Sequence, residues 1–179
     1  TNIRLVFYIT ELLIIRNYLR KDRHMKPEEK ARVKIDQWLT EAGWKVINRD
    51  EFEADSSAVA VREGLLKGNR EADYFLFING KAVGILEAKR EEIDANKGVV
   101  CDQVEAYARG VPSYYTAYQK PIPFLYTSNG KQHYFHDFRK KDSGYEEIFV
   151  MHKPKKLVEM LGIEDPFAGL PPLNSKGLR

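Results

Sequence analysis

The chain has 179 residues, of which 43% are hydrophobic and 31% are charged, and its formal net charge is +3. A chain of this size can bury one substantial core, and its mild positive charge excludes a densely basic, histone-like DNA binder. The single cysteine, Cys101, excludes an intramolecular disulfide framework and a cysteine zinc site, and it favours a reducing, cytoplasmic location.

Residues 1–24 form the first segment, for which we expect a helical N-terminal extension. Its apolar run is interrupted by Glu11 and ended by Arg16. A helix that crosses a bilayer needs roughly 20 apolar residues, so we reject a transmembrane helix here. No small-residue cleavage pattern follows, which argues against a signal peptide. An amphipathic helix packed on the domain, and one that binds a membrane surface or a partner, both stay open.

The remaining elements follow from hydrophobic periodicity and turn residues. Pro27 in a first helical position, followed by two glutamates, predicts a helix that begins there and ends before Gly43. Its apolar stripe comprises Ala31, Ile35, Trp38, Leu39 and Ala42. Strands are predicted at residues 44–48, 59–66, 72–78, 81–89, 124–127 and 132–138, and further helices at residues 99–109 and 154–161. This order predicts an α/β fold with a central mixed β-sheet, a hairpin at its centre and flanking helices.

The hairpin of residues 71–89, EADYFLFINGKAVGILEAK, carries the candidate chemistry. Glu87 and Lys89 lie two residues apart on a strand, so their side chains project to the same face. Charged groups at the end of an otherwise apolar strand are costly to bury without a function. Asp73 on the partner strand adds a second carboxylate. Two carboxylates at one point can bind Mg²⁺, which serves phosphodiester hydrolysis.

The pairing register of the hairpin decides whether these carboxylates meet. A regular two-residue type I′ turn at residues 79–80 puts Asp73 opposite Leu86, on the wrong face. A three-residue loop at residues 78–80, or an equivalent β-bulge, brings Asp73 and Glu87 to one face. We therefore predict the odd-numbered loop or such a bulge.

The charged residues of the hairpin resemble the PD-(D/E)xK nuclease motif. Asp73, Glu87 and Lys89 match its acidic and basic positions in order, and Ala72 stands where the motif name has proline. The resemblance implies that Asp73 and Glu87 ligate Mg²⁺ and that Lys89 orients or deprotonates the attacking water. The alternative is a solvated salt bridge between Glu87 and Lys89, which the apolar run before them argues against.

The helix predicted at residues 99–109 extends this resemblance. Gln103 and Tyr107 lie four apart on one helix face, in a Q-x-x-x-Y pattern similar to that of RecB-like nucleases. The resemblance implies that both line the site, and an ordinary polar helix face is the alternative. Glu28 in the first helix is a further candidate, because an acidic residue there often reaches the metal site in this superfamily. Compensation of the helix dipole explains Glu28 at least as well.

A wider similarity covers most of the chain from residue 25 onward. The runs PEEKARVKIDQWLTEAGW, AVAVREGLL and PIPFLYTSNG resemble the N-terminal nuclease domain of type I restriction enzyme motor (R) subunits. This resemblance implies an endonuclease domain at residues 25–162 and a linker at residues 163–179 toward a helicase that is absent from the chain. The sequence has no G-x-x-x-x-G-K-[ST] loop, so we expect ATP to serve only that motor.

The resemblance implies a Mg²⁺-dependent DNA endonuclease whose partners are double-stranded DNA and the methyltransferase and specificity subunits, with no membrane. A stand-alone RecB-like or junction-resolving nuclease, and a non-catalytic module that binds DNA or docks subunits, stay open as alternatives. The basic clusters at residues 139–141 and 153–156 either contact DNA phosphates or are solvated loops. His133 and His136 point to opposite faces of a strand, so they are a poor metal pair.

Overall fold

The computed structural model describes residues 25–54, 57–68 and 70–168. These residues form a seven-stranded sheet in which the spatial order of the strands equals their order in the chain. The strands are β1 (Lys45–Ile47), β2 (Ala58–Leu65), β3 (Glu71–Ile78), β4 (Lys81–Ala88), β5 (Phe124–Ser128), β6 (His133–Asp137) and β7 (Glu146–Ile148). Strand β1 pairs with β2, and β4 with β5, in parallel, while the other neighbours are antiparallel. The sheet is therefore mixed, as predicted.

Helices cover both faces of the sheet in the described part of the chain. They are α1 (Pro27–Glu41), α2 (Gly98–Arg109) and α3 (Pro154–Leu161). On one face, Ile35 of α1 and Leu157 of α3 belong to the same buried cluster as Leu86 of β4. On the other face, Val104 of α2 packs in a cluster with Ile85. The α/β prediction is confirmed, and no helix of the described residues could cross a membrane.

Local signals placed most of the element boundaries correctly. Helix α1 begins at Pro27, where the backbone N–H of Lys26 donates to the carboxylate of Glu29 at 3.0 Å. It ends at Glu41, and Gly43 follows with a φ of +93° that only glycine adopts without strain. The same kinds of signal located α2, α3 and strands β1 to β6 within one or two residues.

Strand β7 was not predicted, because its three residues, EEI, have no apolar alternation and gain strand geometry only by pairing with β6. The helix expected within residues 1–24 lies outside the described residues. The same holds for most of the linker expected at residues 163–179.

A β-bulge in β4, and not an odd-numbered loop, gives the hairpin the register that brings Asp73 and Glu87 to one face. Asn79 and Gly80 form a two-residue turn, both with positive φ, and Ile78 pairs with Lys81. The register then shifts, because Phe77 pairs with residue 82 but Leu76 pairs with residue 84. Residue 83 is therefore the extra, bulged residue of β4. The three-residue loop is wrong, and the equivalent β-bulge is confirmed.

Candidate active site

The predicted site residues meet at the end of the sheet where β3 begins and β4 ends. The backbone N–H of Ala88 donates to the carboxylate of Asp73 at 2.8 Å, which brings that carboxylate beside Glu87. A cavity of about 170 Å³ opens at this point. It is lined by Glu28, Arg32, Asp73, Glu87, Ala88 and Lys89. The two carboxylates and the lysine thus share one small space, and their chemical roles stay predictions.

Glu87 carries the most perturbed carboxylate of the cavity. Only 4% of the residue is exposed. Its Oε1 accepts hydrogen bonds from Lys89 and Gln103, whereas Oε2 is buried and has no hydrogen-bond partner among the described residues. Burial, and next the charge of Asp73, raise the pKa of Glu87 to about 7, although Lys89 opposes the shift. A buried, unpartnered carboxylate oxygen is costly, and a cation would satisfy it.

Helix α2 holds Glu87 and Lys89 in place through Gln103. The Gln103 amide donates to Glu87 Oε1 at 2.8 Å and to the Tyr107 hydroxyl at 2.6 Å. Its carbonyl oxygen accepts from Lys89 Nζ at 3.1 Å, and the same Nζ donates to Glu87 at 2.6 Å. Because an ammonium group has three N–H donors, these two bonds leave one for the cavity. The predicted helix face therefore does contact the predicted catalytic strand.

Asp73 has a partner that was not predicted from the sequence. Arg32 of α1 donates to Asp73 Oδ1 through one nitrogen and to Glu63 of β2 at 3.3 Å through the other. A signal was available, because Arg32 follows Glu28 by four residues and so lies on the same helix face. The run AVAVREGLL, which contains Glu63, suggested no mechanism.

Glu28 is placed at the rim of the cavity. It lines the opening but is exposed, unlike the buried Ala31 and Ile35 of the same helix. It is also the second residue of α1, where its charge favours the helix dipole. Both explanations of Glu28 are therefore compatible with its position.

The basic cluster of residues 139–141 lies beside a larger cavity of about 460 Å³, at the opposite end of the sheet. Arg139 makes a two-point ion pair with Asp137, at 2.8 Å for both contacts, so it has a structural partner. Phosphate contacts by the exposed lysines of the cluster stay a prediction. His133 stacks on Trp38 and His136 packs beside Tyr145, on the other face of the sheet, which confirms that the two histidines point to opposite faces.

Comparison with known proteins assigns the chain to a family. The family described as the second domain of the type I restriction enzyme EcoKI endonuclease subunit matches residues 49–161. This range covers more than half of the chain. The chain belongs to the type I restriction enzyme endonuclease subunits. The matched range contains Asp73, Glu87, Lys89, Gln103 and Tyr107, and α1 precedes it.

The matched endonuclease subunits from Escherichia coli and Vibrio vulnificus are distant from this chain in sequence. The EcoKI endonuclease subunit of Escherichia coli (strain K12) is 27% identical over 213 residues, a match that covers 85% of this chain. The chain spans only 18% of that relative's length. A solved fragment described as an HsdR subunit of a type I restriction enzyme from Vibrio vulnificus YJ016 has a TM-score of 0.54 at 20% identity. That match covers 80% of this chain and 27% of the fragment, and it shows a shared fold.

The donor atoms of this restriction-subunit domain fit a hard divalent cation. Asp73 and Glu87 supply only oxygen, the ligand that Mg²⁺ prefers, and Oε2 of Glu87 accepts no hydrogen bond from the part of the chain that the structure describes. No group of three or more His, Cys, Asp or Glu side chains within the described residues is arranged to hold an ion. Water and substrate oxygens would have to complete the shell, as they commonly do for Mg²⁺.

Proposed function

We propose that this chain is the DNA-cleaving domain of its restriction subunit and hydrolyses phosphodiester bonds with Mg²⁺ held by Asp73 and Glu87. The observation that carries the proposal is a buried oxygen of Glu87 that has no hydrogen-bond partner among the described residues and lies beside a second carboxylate and a lysine ammonium. A purely structural salt bridge does not need a second carboxylate that raises the pKa of the first.

The residues around the two carboxylates have distinct tasks in this proposal. When bound, Mg²⁺ lowers the pKa of a water ligand and polarises the scissile phosphate. Lys89 directs its remaining N–H donor into the cavity, where it orients the attacking water and offsets the charge that develops on the phosphate. Gln103 holds the side chains of Lys89 and Glu87 next to each other, and Tyr107 holds the Gln103 amide in its orientation.

The wider setting of this activity is part of the proposal. We infer that the substrate is double-stranded DNA and that the complete protein works in the cytoplasm with methyltransferase and specificity subunits. ATP would serve a translocating motor outside this chain. The support is the family membership together with the 18% share of the EcoKI subunit that the chain spans.

Plasmid cleavage by the complete restriction complex, with Mg²⁺ and ATP, tests the proposed function. We expect Asp73→Asn and Lys89→Ala each to slow cutting by about a thousandfold, because each removes a group that acts in the transition state. ATP hydrolysis by the same complexes should continue at the wild-type rate.

Glu92→Gln is the matched control, since Glu92 is an exposed carboxylate on the loop that follows β4 and lies outside the cavity. It should cut like the wild type. Undiminished cutting by Asp73→Asn would rule out the proposed centre. Loss of ATP hydrolysis together with cutting would point to a subunit-docking role instead.

A further inference from the structure

Arg32 occupies an unusual position for a helix surface residue, because its guanidinium reaches the floor of the candidate site. Asp73 is only 14% exposed in its side chain, whereas Glu63, the second partner of Arg32, is 56% exposed. The two nitrogens of one guanidinium thus bridge a partly buried acid and a surface acid. The bond to Asp73 is the inner one, and the bond to Glu63 is the outer one.

The backbone of β2 is distorted where it supplies the outer acid. Glu63 has a φ of +54°, a left-handed conformation that is costly for a residue with a side chain. Its neighbours on either side pair with residues 74 and 72, so Glu63 lies opposite Asp73 in the sheet. The carbonyl of Glu63 accepts a hydrogen bond from Arg49 at 3.1 Å, which secures the distortion. Strain of this kind is common where a side chain must be aimed at a functional site.

Each carboxylate oxygen of Asp73 accepts a hydrogen bond. Oδ1 accepts from Arg32, and Oδ2 accepts from the backbone N–H of Ala88. The Ala88 N–H belongs to the main chain of β4, which is fixed by its pairing with β5, whereas the Arg32 guanidinium ends a flexible side chain and can move away. A cation that binds Asp73 through Oδ1 must therefore compete with the guanidinium of Arg32.

The net charge of the cavity also favours binding of a cation followed by a phosphate. Its lining has three carboxylates, Glu28, Asp73 and Glu87, and two cations, Arg32 and Lys89, so its net charge is −1 when all are ionised. A divalent cation changes that charge to +1, which complements one phosphodiester.

We propose that Arg32 neutralises Asp73 in the DNA-free protein and contacts the substrate phosphate once Asp73 holds the metal ion. Glu63 keeps the released guanidinium at the mouth of the cavity. A guanidinium suits this task because its planar fork matches two phosphate oxygens. The inference rests on the proposed function, and it adds a phosphate-contacting residue that lies outside the D…E-x-K and Q-x-x-x-Y patterns.

A titration of the 179-residue chain with Mn²⁺ alone, without DNA, tests the competition. We expect Arg32→Met to bind Mn²⁺ about tenfold more tightly than the wild type, since neighbouring groups change metal affinity by factors of this order. Arg32→Lys, which keeps the charge, should bind Mn²⁺ nearly as the wild type does. Asp73→Asn should abolish binding.

Plasmid cleavage in the complete complex tests the phosphate contact. We expect Arg32→Met to cut about a hundredfold more slowly despite its tighter metal binding, because a donor to the transition state is lost. Arg32→Lys should recover part of the rate. Tighter metal binding with slower cutting is a combination that a merely structural salt bridge does not produce.

The outcomes separate the two proposals. If Asp73→Asn binds Mn²⁺ like the wild type, the metal site itself is wrong. If Asp73→Asn loses binding but Arg32→Met leaves Mn²⁺ affinity unchanged or weaker, the metal site stands and the role of Arg32 is overturned. Thermal unfolding of each variant identifies any general loss of structure, and Arg32→Lys serves as the second variant if Arg32→Met unfolds.

Discussion

The proposed role of Glu87 places function and stability in opposition within one side chain. Its carboxylate is almost fully buried, and its Oε2 has no hydrogen-bond partner among the described residues. The bonds from Lys89 and Gln103 compensate only the other oxygen. An unpaired buried oxygen costs the protein free energy, which is the pattern expected if Glu87 has the metal-binding role proposed above.

Replacing this carboxylate should stabilise the metal-free protein. The folded-state pKa of Glu87 is raised from 4.5 to about 7, so the unfolded chain ionises first and stability falls as the pH rises between these values. We expect Glu87→Gln to raise the free energy of unfolding by about 3 kcal/mol at pH 8 in a chelator, with no difference at pH 4. Urea denaturation at both pH values measures this.

Addition of Mg²⁺ should stabilise the wild type relative to Glu87→Gln, which is the reverse of the difference expected without metal. A ligand at ten times its Kd stabilises the folded state by about 1.4 kcal/mol, so the wild type should gain this amount and Glu87→Gln should gain nothing. Equal gains would show that Glu87 does not bind the ion. A Glu87→Gln variant that is less stable at every pH would show that the pair with Lys89 stabilises the fold on balance.

The bulge in β4 is the element that turns a hairpin into a candidate site. In a regular strand alternate residues share a face, yet Ala82 and Ile85 pack in one cluster while Val83 and Leu86 pack in the other. The extra residue reverses the alternation along β4. Glu87 therefore faces the same side as Asp73, although the turn has two residues.

Close packing next to the bulge depends on Gly84. A Cβ at this position would lie 3.0 Å from the Leu76 side chain and 3.0 Å from the backbone oxygen of Phe124 on β5. We expect Gly84→Ala to lower the free energy of unfolding by about 2 kcal/mol, because the backbone of a central strand cannot move away cheaply. Chemical denaturation of the chain provides the measurement.

Gly98→Ala is the matched control for this prediction. Nothing lies within 4 Å of a Cβ at Gly98, which begins α2, so alanine there should be neutral or stabilising by up to about 1 kcal/mol. If both substitutions have the same effect, the approach of β3, β4 and β5 is looser than the structure indicates.

The molecule as a whole is joined across the sheet by contacts between residues far apart in the chain. Trp38 of α1 stacks on His133 of β6 with ring centroids 3.8 Å apart and planes inclined by 11°. His133 Nδ1 also hydrogen-bonds the Ser128 hydroxyl at 2.8 Å. This contact attaches α1, which supplies Glu28 and Arg32, to the far half of the sheet.

The stability of the whole domain should depend on the pH through His133. Burial lowers its pKa from 6.5 to about 4, so the unfolded chain takes up the proton first as the pH falls. The stabilising contribution is complete above pH 6.5 and is lost between 6.5 and 4. After allowance for its partial exposure, we expect the wild type to lose about 1 kcal/mol between pH 7 and pH 5 relative to His133→Phe.

His133→Phe is the suitable reference because phenylalanine retains a flat ring for Trp38 and cannot titrate. Subtracting its pH profile from that of the wild type removes the contribution of every other group. Parallel profiles between pH 7 and pH 5 would mean that the imidazole is protonated with equal ease in the folded and unfolded states.

Local rules were sufficient for the element types and for part of the candidate site. Pro27 begins α1 and Gly43 follows its end, because the backbone preferences of proline and glycine act within a few residues. Glu87 and Lys89 share a face because a strand has a period of two, and Gln103 and Tyr107 share one because a helix repeats after about four. These side-chain directions depend only on residues a few positions apart in the chain, so the sequence alone determined them.

Tertiary structure decided the remainder, because it depends on which distant segments pack together. The bulge was one of two solutions to the register, and packing against both faces selected it. The three polar residues of β7 form a strand only beside β6. Arg32 reaches Asp73 across 41 positions of the chain, and burial at that junction raises the pKa of Glu87. No local period encodes a contact of that separation, since it exists only where α1 closes over the end of the sheet.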